Sequence, residues 1–473
     1  MIRGFGTTIV LLGALVATGC IQYEPRPLDP QQVAAGFEAR GLTDPALKAF
    51  LEKNLGHEMK PWPRAAWQPD ELALVAFYYH PDMDLARARW GTARAATGTA
   101  GESPNPTVSL TPGFNTSSST PSPWIGVVGF DIPVETANKR GYRIAQAQHS
   151  ADSAKAGLFG AAWQVRSRVQ RSILDFVSTR QAVALLQQQQ AAQEQIVKLL
   201  ELQRPNGGVP PTLVTQARIA LRGVRLSALE AQRQHIEARA ALADALGLSV
   251  AAVQDIQVDR PVTDQLPQVV STAEARRRAV TSRADVLAAL KDYEASQSAL
   301  QLEIAKQYPD LHIGPGYEYD QGDNKWNLGI GLTLPLFNQN RGAIAEAQSK
   351  RTESAIRFMA LQAKVLNDVD RTVLVYDAAR LKLDAARELL ADVQKQRKAT
   401  QASFDAGDIG KLDLAASQLE LLVNEQASVD ATVKAHQALL AVEDALQQPM
   451  GVPDTALTEW PKRFKANEEK RPQ

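Results

Sequence analysis

From Trp326 to Leu336 the chain reads WNLGIGLTLPL, with a large apolar residue at every second position. Trp326, Leu328, Ile330, Leu332, Leu334 and Leu336 share one side, and Asn327, Gly329, Gly331, Thr333 and Pro335 share the other. A period of two predicts a strand with one apolar face. The same reading holds over 309–319, where Leu311, Ile313, Pro315, Tyr317 and Tyr319 oppose His312, Gly314, Gly316, Glu318 and Asp320. Two earlier strands are expected at 106–114 and 124–134. Val108, Leu110 and Phe114 oppose Thr107, Ser109, Thr111 and Gly113 in the first. In the second, Trp124, Val128, Phe130, Ile132 and Val134 oppose Ile125, Val127, Gly129 and Asp131, a weaker alternation.

After each strand pair the period changes to that of a helix. Ile356, Met359, Ala363, Leu366, Val369, Val373 and Tyr376 step by three or four and predict a narrow coiled-coil-like seam. Long helices are expected over 141–203 and 212–246, and again over 342–405 and 412–448. They break at RPNGGVPP and DAGDIGK, where proline lacks a donor and glycine permits turn geometry. A helix of about 60 residues, rising ~1.5 Å each, is a rod of roughly 90 Å. Such a rod has to pack along other rods.

The chain repeats itself. HPDMDLARA at 80–88 answers RADVLAALK at 283–291, NPTVSLTPGF at 105–114 answers YPDLHIGPGY at 308–317, and WIGVVGFDIPV at 124–134 answers WNLGIGLTLPL. RGYRIAQAQ at 140–148 answers RGAIAEAQ at 341–348. The offset drifts only from 203 (residue 80 against 283) to 200 (Asp244 against Asp444). Matches in the same order at a nearly constant offset mark two copies of one plan. The expected layout is a signal peptide at 1–19, an N-terminal segment at 20–39, a first repeat at 40–248, a linking belt at 249–282, a second repeat at 283–450 and a charged tail at 451–473.

Strands of about ten residues have the length a tilted strand needs to cross a bilayer. Trp124, Trp326, Tyr317 and Tyr319 lie near the expected strand ends, where interfacial aromatics belong. Four strands are too few to close a membrane barrel, and an open edge in hydrocarbon leaves backbone groups unpaired. The strands are therefore expected to be shared between chains. Three chains supply twelve strands, a barrel wide enough for a lumen on the polar and glycine side. The fold class is thus mainly α with a small transmembrane β part, assembled as a homotrimer. The competing readings are a half-buried sheet on a soluble core and a soluble periplasmic coiled-coil scaffold or adaptor. The polar loops 115–123 and 320–325 are expected at the strand tips away from the helices, facing the cell exterior. Pro133 and Pro335 lie where strand gives way to helix.

Lys plus Arg number 52 and so do Asp plus Glu, so no basic field invites nucleic acid. The single cysteine, Cys20, follows Arg3, an apolar run from Thr7 to Val16 and the small residues Ala17-Thr18-Gly19. This resembles a bacterial lipoprotein signal, with Ala17 where Leu, Val or Ile is usual, and makes Cys20 the expected lipidation site. Ile21 rather than Asp after it favours the outer membrane.

Taken together, these features resemble the outer membrane efflux (TolC-like) family over roughly 70–450. LPLFNQNRGAIAEAQSKR at 334–351 is especially similar to heavy-metal efflux channel subunits of the CzcC type, and IPVETANKRG at 132–141 is a degraded version. The resemblance implies a trimer with a twelve-stranded barrel and a periplasmic helical tunnel. It implies an exit duct docked through a periplasmic adaptor (membrane fusion protein) onto an inner-membrane pump of the resistance-nodulation-division type. The cargo classes it suggests are heavy-metal cations and drugs. It also implies that the helical hairpin tips carry the gate and the adaptor contact. Ile409, Gly410 and Lys411 match the tip pattern, while Val209 and Pro210 depart from it in the first copy. Asp405, Asp408 and Asp413 cluster near the second tip as gate candidates, or as simple helix caps. Pro133, Pro335 and Gly342 mark the junction between barrel and tunnel.

Enzyme chemistry finds no foothold. Gly314-x-Gly316 lies inside an alternating strand and not at a strand-to-helix turn, so it is no nucleotide fingerprint. One cysteine and six scattered histidines give no metal-ligand spacing. No cofactor, metal site or catalytic group is expected.

Overall fold

The computed structural model describes residues 22–117, 122–206, 208–259, 266–268 and 271–450. The expected signal peptide, Cys20 and the tail 451–473 lie outside the described residues. The chain divides into two units at Gly41. The first contains α1 (Pro30–Glu38), opened by Asp29, whose carboxylate accepts the Gln31 N–H.

The second unit, from Leu42, holds the remaining elements. Its first repeat runs α2 (Pro45–Leu55), α3 (Pro69–Tyr79), α4 (Pro81–Gly101), β1 (Thr107–Phe114), β2 (Trp124–Val134), α5 (Lys139–Gln203) and α6 (Pro211–Leu246). The second runs α7 (Thr272–Ser282), α8 (Ala284–Ala305), β3 (Leu311–Asp320), β4 (Asp323–Leu332), α9 (Arg341–Asp405) and α10 (Lys411–Leu446). The copies match in length: α5 and α9 both have 65 residues, and α6 and α10 both have 36. At ~1.5 Å per residue the longer pair are rods of about 98 Å.

The strands form one antiparallel sheet in the order β1-β2-β3-β4. β4 is displaced from the expected 326–336. It starts at Asp323 and ends at Leu332, because Gln321 and Gly322 alone make the hairpin turn with φ of 53° and 121°. The polar run 320–325 is therefore mostly strand, with Lys325 paired to Asp320 across the hairpin at 2.6 Å. Trp326 consequently lies inside β4 and not at its end. Thr333, Leu334, Pro335 and Leu336 fall outside the strand, since Pro335 cannot donate to a ladder. β3 also begins later than 309, at Leu311.

In the helical part, α6 packs on α5, α5 on α10 and α10 on α9; nearer the sheet the order is α4, α5, α8, α9. Each long helix carries a cap of shorter ones at mid-length. Leu47, Leu72, Phe77 and Met83 cover Val165, Val169 and Ile173 of α5 together with Leu242 and Leu246 of α6. In the second copy Ala275 and Ala279 of α7 cover Val369, Val373 and Tyr376 of α9 with Val442 and Leu446 of α10. The expected seam on α9 is thus divided. Val369, Val373 and Tyr376 are buried, whereas Ile356, Met359 and Ala363 are exposed. The apolar period continues past the point where this chain supplies a partner.

The two copies are locked across α5 and α10. Arg166 and Glu443, both buried, meet at 3.2 Å, and Asp444 accepts from Trp163 Nε1 (2.9 Å) and Arg171 (2.6 Å). Breaking such a buried pair by removing one partner costs about 3–5 kcal/mol, because the other charge is left uncompensated.

His80 is buried at the start of α4, where its Nδ1 accepts the Asp82 N–H at 3.1 Å and Nε2 lies 2.8 Å from Arg168. Burial pushes its pKa below the ordinary 6.5; the Asp82 charge opposes this and the Arg168 charge adds to it. A histidine depressed in the fold binds fewer protons than in the unfolded chain, so its contribution is complete above pH 6.5 and is lost as pH falls below that. His80→Asn retains a capping acceptor without titrating. Thermal midpoints of the wild type should therefore fall more steeply than those of the variant on acidification below pH 6.5. Parallel pH profiles would contradict this role.

Candidate channel wall, junction and tip

The register decides which side chains share a face of the sheet. Leu110 pairs with Val128, Val128 with Tyr317 and Tyr317 with Trp326. Ile132, Ile313 and Ile330 form a second row, and Val134, Leu311 and Leu332 a third. One face is therefore continuously apolar, and its residues lie open: Leu110 is 73% exposed, Trp326 82% and Ile330 69%. Aromatic contacts on it, Phe114 with Trp124 and Tyr317 with Trp326, each bring ring centroids to 5.0 Å. An apolar surface of this extent without a cover marks a contact with lipid or protein.

The opposite face carries Ser109, Gly129, Gly316 and Asn327 in one row and Pro133, His312 and Gly331 in another. Glycine keeps this face low. A Cβ on Gly314 would lie 3.0 Å from the Phe130 carbonyl, and one on Gly316 2.2 Å from Asn327 Oδ1. His312 Nδ1 lies 2.9 and 3.1 Å from the two Asp131 carboxylate oxygens. Within one chain β1 and β4 each pair on one side only, so the sheet has two open edges.

Sheet and helices are joined by a hydrogen-bonded clamp. Asp310 accepts from the Thr136 N–H (2.9 Å) and from Lys139 Nζ (2.7 Å), and Lys139 also donates to the Tyr308 carbonyl at 2.7 Å. Arg140 and Arg143 at the start of α5 donate to the carbonyls of Gly101, Ala100 and Glu102, satisfying acceptors freed at the end of α4. Asn138 and Asn340 open α5 and α9 in the left-handed region, and Asn340 Nδ2 reaches the Glu303 carbonyl and carboxylate. Burial acts to raise Glu303, but Lys306 and Asn340 outweigh it and hold the carboxyl below its usual range. Of the junction residues expected from sequence, Pro133 sits in the ladder opposite His312 and Pro335 in the irregular segment after β4. Gly342, the second residue of α9, faces open space.

At the far ends the two hairpins turn alike. The Gly208 N–H returns to the Gln203 carbonyl (3.1 Å) and the Asp408 N–H to the Ser403 carbonyl (2.9 Å), a six-residue closure that uses Gly407 at φ 86°. Val209 packs beside Val214, Leu200 and Ala415, and Pro210 is the N-cap of α6. Asp405, Asp408 and Asp413 are exposed around the second tip, but they do different work. Asp405 accepts from Gln401, and Asp413 accepts the Gly410 N–H at 3.1 Å as a helix cap. No cluster of three or more His, Cys, Asp or Glu able to hold a metal occurs among the described residues. A Cβ on Gly410 would meet only Asp413 Oδ2, at 3.6 Å, so the fold of this chain does not itself require glycine there. Ile409 is half-buried and Lys411 exposed.

Sequence reading missed the junction clamp and the Asp131–His312 pair, because each joins residues far apart in sequence. It also missed an open stripe on α6, Ile219, Leu226, Leu229 and Ile236, whose spacing of seven and three was visible. Leu374, Leu381 and Leu389 lie open on α9, at the other side of the four-helix row.

The pattern that defines outer membrane efflux proteins matches residues 76–248 and 266–447, one match for each repeat. The chain belongs to the outer membrane efflux protein family. Members are outer membrane channels, not enzymes, and form the outer membrane component of tripartite efflux systems; this chain is an efflux channel of that kind. It is 22% identical to the cobalt-zinc-cadmium resistance protein CzcC of Cupriavidus metallidurans over 294 residues, 62% of this chain and 69% of CzcC. Its fold is similar to that of CusC (TM-score 0.64, 16% identity, 82% of this chain and 96% of CusC). It is likewise similar to VceC of Vibrio cholerae (TM-score 0.65, 19% identity, 81% and 97%).

An apolar face that meets lipid rejects charge, at about 2–4 kcal/mol for an arginine at the bilayer midplane. Leu328→Arg should therefore deplete the protein from the outer membrane fraction, while Asn327→Arg on the other face should be tolerated. Equal membrane levels for both variants would contradict the assignment of faces.

Proposed function

We propose that three copies of this chain form the exit duct of a tripartite efflux system. The observation that carries this reading is a four-stranded sheet with one open apolar face and two unpaired edges, running directly into paired 65-residue helices. Three sheets joined edge to edge make a twelve-stranded barrel, with the glycine-rich face lining the lumen. The open stripes of α6 and α9 lie on opposite sides of the row and favour contact with neighbouring copies, continuing the barrel as a helical tunnel. A soluble scaffold would leave the apolar face in water without a purpose.

In this reading lipidated Cys20 anchors the chain to the outer membrane, and the helices extend into the periplasm. The tips bearing Ile409, Gly410 and Lys411, with Val209 and Pro210, face the periplasmic adaptor. A pump of the resistance-nodulation-division type lies beyond it. Asp405, Asp408 and Asp413 flank the gate, where threefold symmetry turns any inward carboxylate into a ring of three. The similarity to the cobalt-zinc-cadmium resistance protein CzcC favours divalent cobalt, zinc or cadmium over organic drugs as cargo.

A strain lacking the protein should become sensitive to cobalt, zinc and cadmium salts. The wild-type gene should restore growth and Gly410→Trp should not, with both proteins at equal levels in the outer membrane. Full rescue by Gly410→Trp would remove the tip assignment, and sensitivity to drugs alone would remove the metal cargo.

A further inference from the structure

The Asp131–His312 pair stands apart from the rest of the polar face. Both oxygens of Asp131 lie within hydrogen-bond distance of the same ring nitrogen, His312 Nδ1, at 2.9 and 3.1 Å. A carboxylate is an acceptor only, so this contact places the ring proton on Nδ1. In the neutral ring the other nitrogen, Nε2, carries the lone pair, and no hydrogen-bond partner for it occurs among the described residues. Both side chains are partly open, His312 at 38% and Asp131 at 47%.

The surroundings keep that lone pair accessible. Gly331 pairs with His312 across β4, and its absent Cβ would lie 3.3 Å from the His312 Cβ. Gly314 is the next residue of β3 on the same face, and Gly129 is the neighbour of Asp131 on that face of β2. On this face Pro133 stands opposite His312 across β2 and Asp310 lies two residues before it, so the imidazole is open mainly on the side of Gly314 and Gly331. A histidine whose Nδ1–H is held by a carboxylate, with a free Nε2, is the arrangement that fixes ring orientation and raises basicity in imidazole–metal sites.

We propose that His312 Nε2, oriented by Asp131, is a weak coordination site for borderline divalent transition-metal ions on the channel wall. The proposal rests on the channel reading above, which makes this face the lumen. Geometry decides between one shared site and three separate ones. Twelve strands ~4.8 Å apart and tilted by ~40° give a barrel radius of about 12 Å, which leaves symmetry-related imidazoles more than about 10 Å apart. Zinc–nitrogen bonds are about 2.0–2.1 Å, so no single ion bridges them. Each chain thus offers one imidazole, with water completing the coordination. Weak binding suits a conduit, since an ion that enters must also leave. The chemistry selected is that of ions with an affinity for imidazole, as opposed to magnesium or calcium.

Copper(II), the strongest binder in the divalent series, is the probe for so weak a site. Full-length protein in detergent at neutral pH is titrated with copper(II) and read by electron paramagnetic resonance. The wild type should show one more nitrogen-coordinated copper per chain than His312→Gln, and Asp131→Asn should bind at that site about 10–100-fold more weakly. Identical titrations of wild type and His312→Gln would overturn the proposal, and an unweakened Asp131→Asn would overturn the orienting role. If His312→Gln fails to assemble, modification of wild-type His312 by diethylpyrocarbonate gives the answer: protection by copper supports the site, and unchanged modification overturns it. Outer membrane fractionation of the same variants keeps this outcome separate from the channel reading, which survives intact if the variants insert normally but bind no less copper.

Discussion

A strand edge in hydrocarbon cannot leave its amides and carbonyls bare, and each unsatisfied group there costs several kcal/mol. This chain contributes four strands with β1 and β4 each paired on one side only. Its apolar face, from Leu110 through Val128 and Tyr317 to Trp326, matches lipid, but a lone copy placed in lipid would expose both edges. Joining edges between copies removes the conflict, and only a closed ring removes it for every copy. In the proposed trimer, the helical tunnel follows from that closure. Once the sheets form a ring, each strand pair must hand its chain to a helix at the rim, and the helices inherit the ring's spacing.

The handover explains where polar contacts concentrate. At the rim, Lys139, Thr136 and Asp310 tie the first repeat's helix start to the second repeat's strand, and Arg140 and Arg143 close the carbonyls at the end of α4. Further along, Arg166–Glu443 and the contacts of Asp444 lock α5 to α10 at the level of the mid-length caps. Toward the tips, Arg218 with Glu201 and Arg225 with Glu194 tie α5 to α6, Arg397 with Gln418 ties α9 to α10, and Gln189 Nε2 on the Leu422 carbonyl joins the two repeats around packed Ile196, Leu200, Val214 and Ala415.

Much of this was legible in the amino acids. Alternation located the strands, glycine and proline located the hairpin tips, and the repeat foretold matching helix lengths. The hairpin at Gln321–Gly322 is shorter than the polar run suggests, because polarity does not distinguish a loop from strand residues such as Lys325 and Asp320, which are ion-paired across the hairpin. The seam on α9 marks a second limit. Periodicity shows that a helix face wants a partner, but it does not say whether Tyr376 finds one in its own chain while Met359 does not. Asp413 shows the limit at the tip, where a carboxylate near a gate and a carboxylate capping a helix look the same in sequence. Contacts such as Asp131 with His312 depend on register across strands from different repeats, which no local pattern encodes.

Edge-to-edge closure by three copies is the central claim, and disulfide cross-linking between the open edges tests it directly. Ser109→Cys on β1 is combined in turn with Lys325→Cys, Asn327→Cys, Gly329→Cys or Gly331→Cys on β4, and intact outer membranes are oxidised. The account predicts that the pair matching the inter-chain register yields linked species that end at three chains. Monomers alone at every register, or a ladder continuing beyond three, would contradict it.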